Sequence, residues 1–146
     1  MIVDASVIID AVADSGARGE AARAALAAQP AAEALVAPGH FAFEILSGLR
    51  AAAKRPGHPL TEAEVAQALA DAEALEIGIE ATPWSDVHRA WQLAQASLRF
   101  ADAIYVAAAE RRHTTLLTAD ARIERSRAPL TCPIITVCPA EPTPGQ

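Results

Sequence analysis

Three aspartates share one kind of address in this sequence. Asp4 directly follows the apolar pair Ile2–Val3, Asp120 comes just past "TTLLTA", and Asp102 opens the helical pattern "DAIYVAAAE". In open α/β sheets ligands bind beyond the carboxyl ends of strands, where helix N-termini also point, so acids placed there can converge. Glu44 is a fourth candidate, set between Phe43 and Ile45 and bordering an apolar helical stripe. Each aspartate alone is explained as a helix cap complementing the macrodipole. Capping gives no reason for an acid flanked by apolar residues, nor for Asp4 and Asp120 to leave strands at one edge of a sheet. If the four meet, their repulsion drives protons onto some of them unless a cation is present. Hard oxygen ligands suit Mg²⁺ or Mn²⁺. Such ions, singly or as a pair about 4 Å apart, activate water and stabilise the leaving oxygen in phosphodiester hydrolysis.

The elements that must position these acids are read from periodicity. Short β-like runs at 2–3, 34–37, 77–81, 115–118 and 134–137 alternate with longer helical patterns, the signature of βαβ units. Each run is short enough to be a fully buried strand. "SVIIDAVA" leaves the first strand as a helix, and "GARGEAARAALAAQ" follows as a second. Pro38 is placed to start a helix carrying Phe41, Ile45 and Leu49 at helical spacing. Thr61 with Glu64 three residues on predicts a capped helix. "PWSDVHRAWQLAQAS", "ADAIYVAAAERR" and "ADARIERS" complete the set. The fold class is α/β, with a mostly parallel sheet of about five short strands. Residues 1–138 are expected to form one domain and 139–146, "PAEPTPGQ", a disordered tail.

Composition supports this reading and removes others. A hydrophobic fraction of 52% carried by Ala, Leu, Val and Ile, with few aromatics, suits helices on a buried sheet. A net charge of −6 argues against binding nucleic acid by bulk electrostatics. Local cations at Arg50, Lys54 and Arg55, and at Arg122, Arg125 and Arg127, read first as solvated helix faces. Cys132 and Cys138 make no disulfide framework or C-x-x-C pair and are expected to be small buried or half-buried thiols. No signal segment or long apolar span is present, which points to a cytoplasmic protein without a membrane partner.

A phosphoacceptor receiver domain would need a Lys after the last strand, but the one lysine is Lys54. A haloacid-dehalogenase-like phosphatase would need D-x-D after the first strand, where Ser6 stands instead. There is no G-x-S-x-G elbow and no Gly-rich phosphate loop. His40, His58, His88 and His113 form no close metal pair and read as surface or packing residues.

"IVDASVII", "VAPGHFAFEILSGLRAA", "FADAIYVAAAE" and "LLTADARIERS", in that order, resemble the PIN-domain ribonucleases, specifically the VapC-type toxins of prokaryotic toxin–antitoxin pairs. The resemblance covers nearly the whole chain and implies a three-layer α/β/α fold. It carries the first-strand acid onto Asp4, the acid of the E-x-x-x-x-L-R segment onto Glu44, the D-A-x-Y-V-A acid onto Asp102 and the L-T-A-D acid onto Asp120. By resemblance Asp4, Asp102 and Asp120 hold Mg²⁺ or Mn²⁺, and Glu44 ligates directly or through water. Ser6 and Thr118 match supporting hydroxyl positions. Ala101 stands where the family often has an aromatic residue, with Phe100 one position earlier, and Arg122 stands where some relatives carry a further acid.

The resemblance implies a metal-dependent endoribonuclease acting as a toxin, dimeric, and neutralised by a small antitoxin. Arg50 and Lys54, past Glu44, are candidate contacts to RNA phosphates. The alternative is a PIN-like domain that binds RNA or a partner without cutting, which the presence of all four acids disfavours.

Overall fold

The computed structural model describes residues 1–139. The tail expected to be disordered therefore lies outside the described residues but for Pro139. Five strands form one all-parallel sheet in the order β3-β2-β1-β4-β5. They are β1 (Ile2–Val3), β2 (Val36–Pro38), β3 (Gly78–Glu80), β4 (Leu116–Thr118) and β5 (Ile134–Thr136). The chain winds outward from β1 to β2 and β3, then crosses back to β4 and β5. Right-handed crossovers therefore put the helices of the two halves on opposite faces.

On one face, α1 (Ala5–Ala13), α2 (Ala17–Ala27), α3 (Phe41–Ala53) and α4 (Glu62–Ala74) pack together. On the other, α5 (Trp84–Ala94) packs along α6 (Phe100–Arg111), which covers β1, β2 and β4. A short α7 (Ala121–Glu124) precedes β5. Three α/β/α layers result. The core is aliphatic: Ile2, Val3, Val7, Ile8, Leu49, Val106, Leu116 and Leu117 are fully buried. Among the described residues no helix is long and apolar enough to cross a membrane.

Three expectations are corrected. The outer strands are not buried, since Ile79 of β3 and Ile135 of β5 are exposed on the sheet's two edges. Pro38 ends β2 instead of starting α3. Pro38 is still in register with Glu80 of β3. Toward β1, where Ile2 is paired with Val36, it comes opposite Asp4, which has already turned into α1, so the N–H that proline lacks falls where the β1–β2 ladder ends. Cys138 is exposed, whereas Cys132 is half-buried as expected.

Candidate active site

The reversal of strand order falls between β1 and β4, and α/β sheets place ligands at that crevice. β1 is two residues long, so its carboxyl end delivers Asp4 at once. Asp4 caps α1, its Oδ1 accepting from the Ser6 amide at 3.0 Å. Its Oδ2 accepts from Thr118 Oγ1 at 2.6 Å, across the sheet. Only 5% of Asp4 is exposed. Each carboxylate oxygen still has lone-pair capacity for a cation.

Ser6 and Thr118 tie the two sides of the crevice together. Thr118 Oγ1 accepts from the Asp120 amide at 3.0 Å, and Ser6 Oγ accepts from the Ala119 amide at 3.0 Å. The loop that carries Asp120 is thus held in register with the turn that carries Asp4. Asp120 caps α7 by accepting from the Arg122 amide at 2.9 Å, and it is also gripped by the Arg122 guanidinium.

Glu44 stands in the first turn of α3, half-buried beside the buried Ile45. Tyr105 Oη donates to its Oε2 at 2.6 Å and accepts from the Ala5 amide at 3.4 Å. The His40 ring lies against Tyr105 with centroids 4.7 Å apart. Its Nε2 is 3.4 Å from Glu44 Oε2, buried and without a hydrogen-bond partner among the described residues.

A cavity of about 210 Å³ is lined by Asp4, Ser6, Glu44 and Ser47 and by Asp102, Asp120, Arg99 and Arg122. The four predicted acids therefore come together. Arg50 and Lys54 do not line it; they occupy the last turn and the end of α3. Larger hollows elsewhere, such as that near Arg55 and His58, contain none of the four acids.

Burial raises the carboxyl pKa of Asp4 above its ordinary value, although hydrogen bonds from Thr118 and Ser6 oppose the rise. Burial also raises Glu44, opposed by Tyr105 and His40. Asp102 is pushed up to about 6 by burial and then by the charges of Asp4 and Asp120. Asp120 moves the other way, held low chiefly by its hydrogen bond with Arg122.

This donor set fits a hard divalent cation. Asp102 accepts no side-chain hydrogen bond among the described residues, yet it lies partly buried facing two other carboxylates. A bound cation would relieve that repulsion and provide the missing partner. The acids ring the cavity without clasping it: among the described residues, no three of His, Cys, Asp or Glu form a ready-made metal cluster.

Sequence reading missed Tyr105 and His40 as partners of Glu44, and Arg99 as a wall of the cavity. Signals existed in the spacing. His40 is four residues before Glu44 and Arg99 three before Asp102, each at a helical spacing from an acid already singled out.

Comparison with known proteins gives a consistent result. The sequence profile of the PIN domain matches residues 1–128. Ribonuclease VapC3 of Mycobacterium tuberculosis, in strains CDC 1551 / Oshkosh and H37Rv, is 36% identical over 126 residues, which covers 86% of each chain. Among solved structures, a chain of a toxin–antitoxin complex from Klebsiella pneumoniae superposes with a TM-score of 0.68 at 19% identity, covering 94% of this chain and 98% of that one. VapC20 of Mycobacterium tuberculosis, described as a toxin that cleaves the sarcin–ricin loop, gives a TM-score of 0.61 at 17% identity, covering 90% and 98%. These two structural likenesses concern the fold.

Proposed function

The chain belongs to the PIN-domain family, and on that premise we propose that it is the toxin of a toxin–antitoxin pair, a divalent-metal-dependent endoribonuclease with residues 1–138 as its one domain. The observation that carries this reading is the convergence of Asp4, Glu44, Asp102 and Asp120 on one cavity at the switch point of the sheet.

Asp4, Asp102 and Asp120 are the proposed ligands of Mg²⁺ or Mn²⁺, with Glu44 ligating directly or through water. When bound, such an ion supplies Lewis-acid charge to the phosphodiester and lowers the pKa of the attacking water. Thr118 and the Ser6 amide fix the Asp4 carboxylate by donating to its two oxygens, so its remaining lone pairs face the cavity. Tyr105 fixes Glu44 in the same way, leaving Oε1 to orient the water. The water oxygen forms the new P–O bond as the bond to the leaving ribose oxygen breaks, and that oxygen takes up a proton. The walls of the crevice, β1–α1 on one side and β4–α7 on the other, hold the acids in place before substrate arrives.

We further propose a homodimer, a cytoplasmic location and a small antitoxin partner. The exposed aromatics Trp84, Trp91 and Phe100 supply apolar surface for assembly. A basic antitoxin segment would suit the acidic cleft.

The test is RNA cleavage with Mg²⁺, with Mn²⁺ and with chelator, for the wild type and Asp4→Asn. The expected result is metal-dependent cleavage that falls by at least about a hundredfold in the variant. Asn caps helices as well as Asp does, so the variant should keep its thermal stability to within about 1 kcal/mol. No cleavage of a broad RNA panel under any metal condition would overturn the enzyme reading in favour of a binding domain.

A further inference from the structure

The acidic cleft carries a cation of its own. Arg122 lies two residues past Asp120, and its Nε donates to the two Asp120 oxygens at 2.8 and 3.0 Å while Nη2 closes on Oδ2. The backbone amide of the same residue donates to Oδ1 at 2.9 Å. Both oxygens of Asp120 are thus taken by one residue. Asp4 and Asp102, across the same cavity, have no guanidinium within ion-pair reach among the described residues.

The Arg122 side chain is 60% exposed and its bond to Asp120 is strictly local. Pairs of that kind are weak, and breaking this one disturbs no tertiary contact. A guanidinium fork also matches the geometry of a phosphate. Nη1 has no partner among the described residues, so it is available to a third group.

We propose that Arg122 is a resident cation that holds Asp120 when no divalent ion is bound, yields it when the ion arrives, and then donates to a non-bridging oxygen of the RNA phosphate. This rests on the metal-dependent ribonuclease reading above and adds a competition to it. Two cations share one carboxylate, and the displaced one becomes a substrate contact. The consequence is a pair of effects of opposite sign, which a merely structural arginine would not produce.

The experiment is calorimetric titration of the full chain with Mn²⁺, together with RNA cleavage at saturating Mn²⁺, for the wild type, Arg122→Gln, Arg122→Lys, Arg99→Gln and Asp4→Asn. Arg122→Gln should bind Mn²⁺ about twofold to fivefold more tightly, the worth of an exposed ion pair. Its cleavage at saturating metal should nevertheless fall by about tenfold or more, as expected for a lost charge-assisted contact to phosphate. Arg122→Lys should recover part of the cleavage. Arg99→Gln removes the same charge from the cavity wall without releasing a carboxylate, so it should tighten Mn²⁺ binding less. Unchanged Mn²⁺ affinity in Arg122→Gln, equal tightening in Arg99→Gln, or wild-type cleavage without Arg122 would each overturn the proposal. If Asp4→Asn binds Mn²⁺ as the wild type does, the metal-site reading falls with it. If Asp4→Asn loses Mn²⁺ while Arg122→Gln matches the wild type, only the Arg122 proposal falls.

Discussion

Asp102 gains the least from folding among the four acids. It takes a place near two other carboxylates and receives no hydrogen bond among the described residues in return, and burial then carries its pKa from 3.8 to about 6. Between those two pH values the folded chain binds a proton that the unfolded chain has released. The contribution of Asp102 to stability is therefore full below about pH 3.8 and is lost as pH rises through about 6. Asp120, held low by Arg122, acts oppositely, its contribution being present at neutral pH and lost on acidification. With Asp102 as a ligand, as proposed above, a divalent ion would have to displace its proton below pH 6, so Mn²⁺ affinity should fall by about tenfold from pH 7.5 to pH 5. The measurement is the Mn²⁺-induced rise in melting temperature at the two pH values, which should be larger at pH 7.5 and should shrink at both in Asp102→Asn, which removes a proposed ligand. Tyr105→Phe tests the neighbouring acid. Loss of its bond to Glu44 should cost about 1 kcal/mol of stability and move the acid limb of the pH–rate profile upward, because Glu44 loses a donor to its charged form. The acids were legible only jointly, because capping explains each aspartate alone but neither Glu44 among apolar neighbours nor Asp4 and Asp120 leaving strands at one edge of the sheet. Tyr105 was not, since an aromatic residue in an apolar helix reads as core until its hydroxyl is seen to reach Glu44.

At the scale of elements, the site depends on where α1 begins and on the packing that fixes its far end. Gly19 in α2 lies so close to the Asp14 carbonyl, at the end of α1, that a Cβ would fall 1.7 Å from that oxygen. Gly48 of α3 meets Ile9 of α1 with a Cβ distance of 2.3 Å to the end of the isoleucine chain. The first obstacle is backbone and cannot swing away, whereas the second is a side-chain terminus that can turn. Gly19→Ala should therefore destabilise by about 1–3 kcal/mol, and Gly48→Ala by less, part of its strain being offset by better helix propensity. Denaturant unfolding of both variants decides the order. Such close approaches are hard to read from sequence, because a glycine inside an Ala-rich helix looks like a weak helical residue. The alternation of strands and helices was legible because it needs only local pattern. Edge exposure and the end of β2 at Pro38 were not, because both depend on which strand lies beside which.

The whole molecule presents an acidic crevice on a chain of net charge −6, so RNA must be held by cations placed locally instead of by the overall field. α3 supplies a direction for them. Glu44 stands in its first turn, while Arg50 and Lys54 lie six and ten residues on, about 9 and 15 Å along the axis at the usual helical rise. Neither reaches the cavity, so neither can act on the scissile phosphate; an RNA strand leaving the crevice along α3 would pass both. Contacts of that kind position the backbone and read no sequence. If both are made, replacing Arg50 and Lys54 with alanine should lower the slope of log affinity against log salt by about 1.4, or about 0.7 per phosphate for a single strand. Mn²⁺ affinity should stay at the wild-type value, since neither side chain touches an acid of the site. RNA binding in the Asp4→Asn background, which the proposed mechanism leaves without cleavage, measured from low to physiological salt, reads the slope. An unchanged slope would place the RNA path elsewhere, with Arg99 and Arg122 as the cations at the mouth of the crevice.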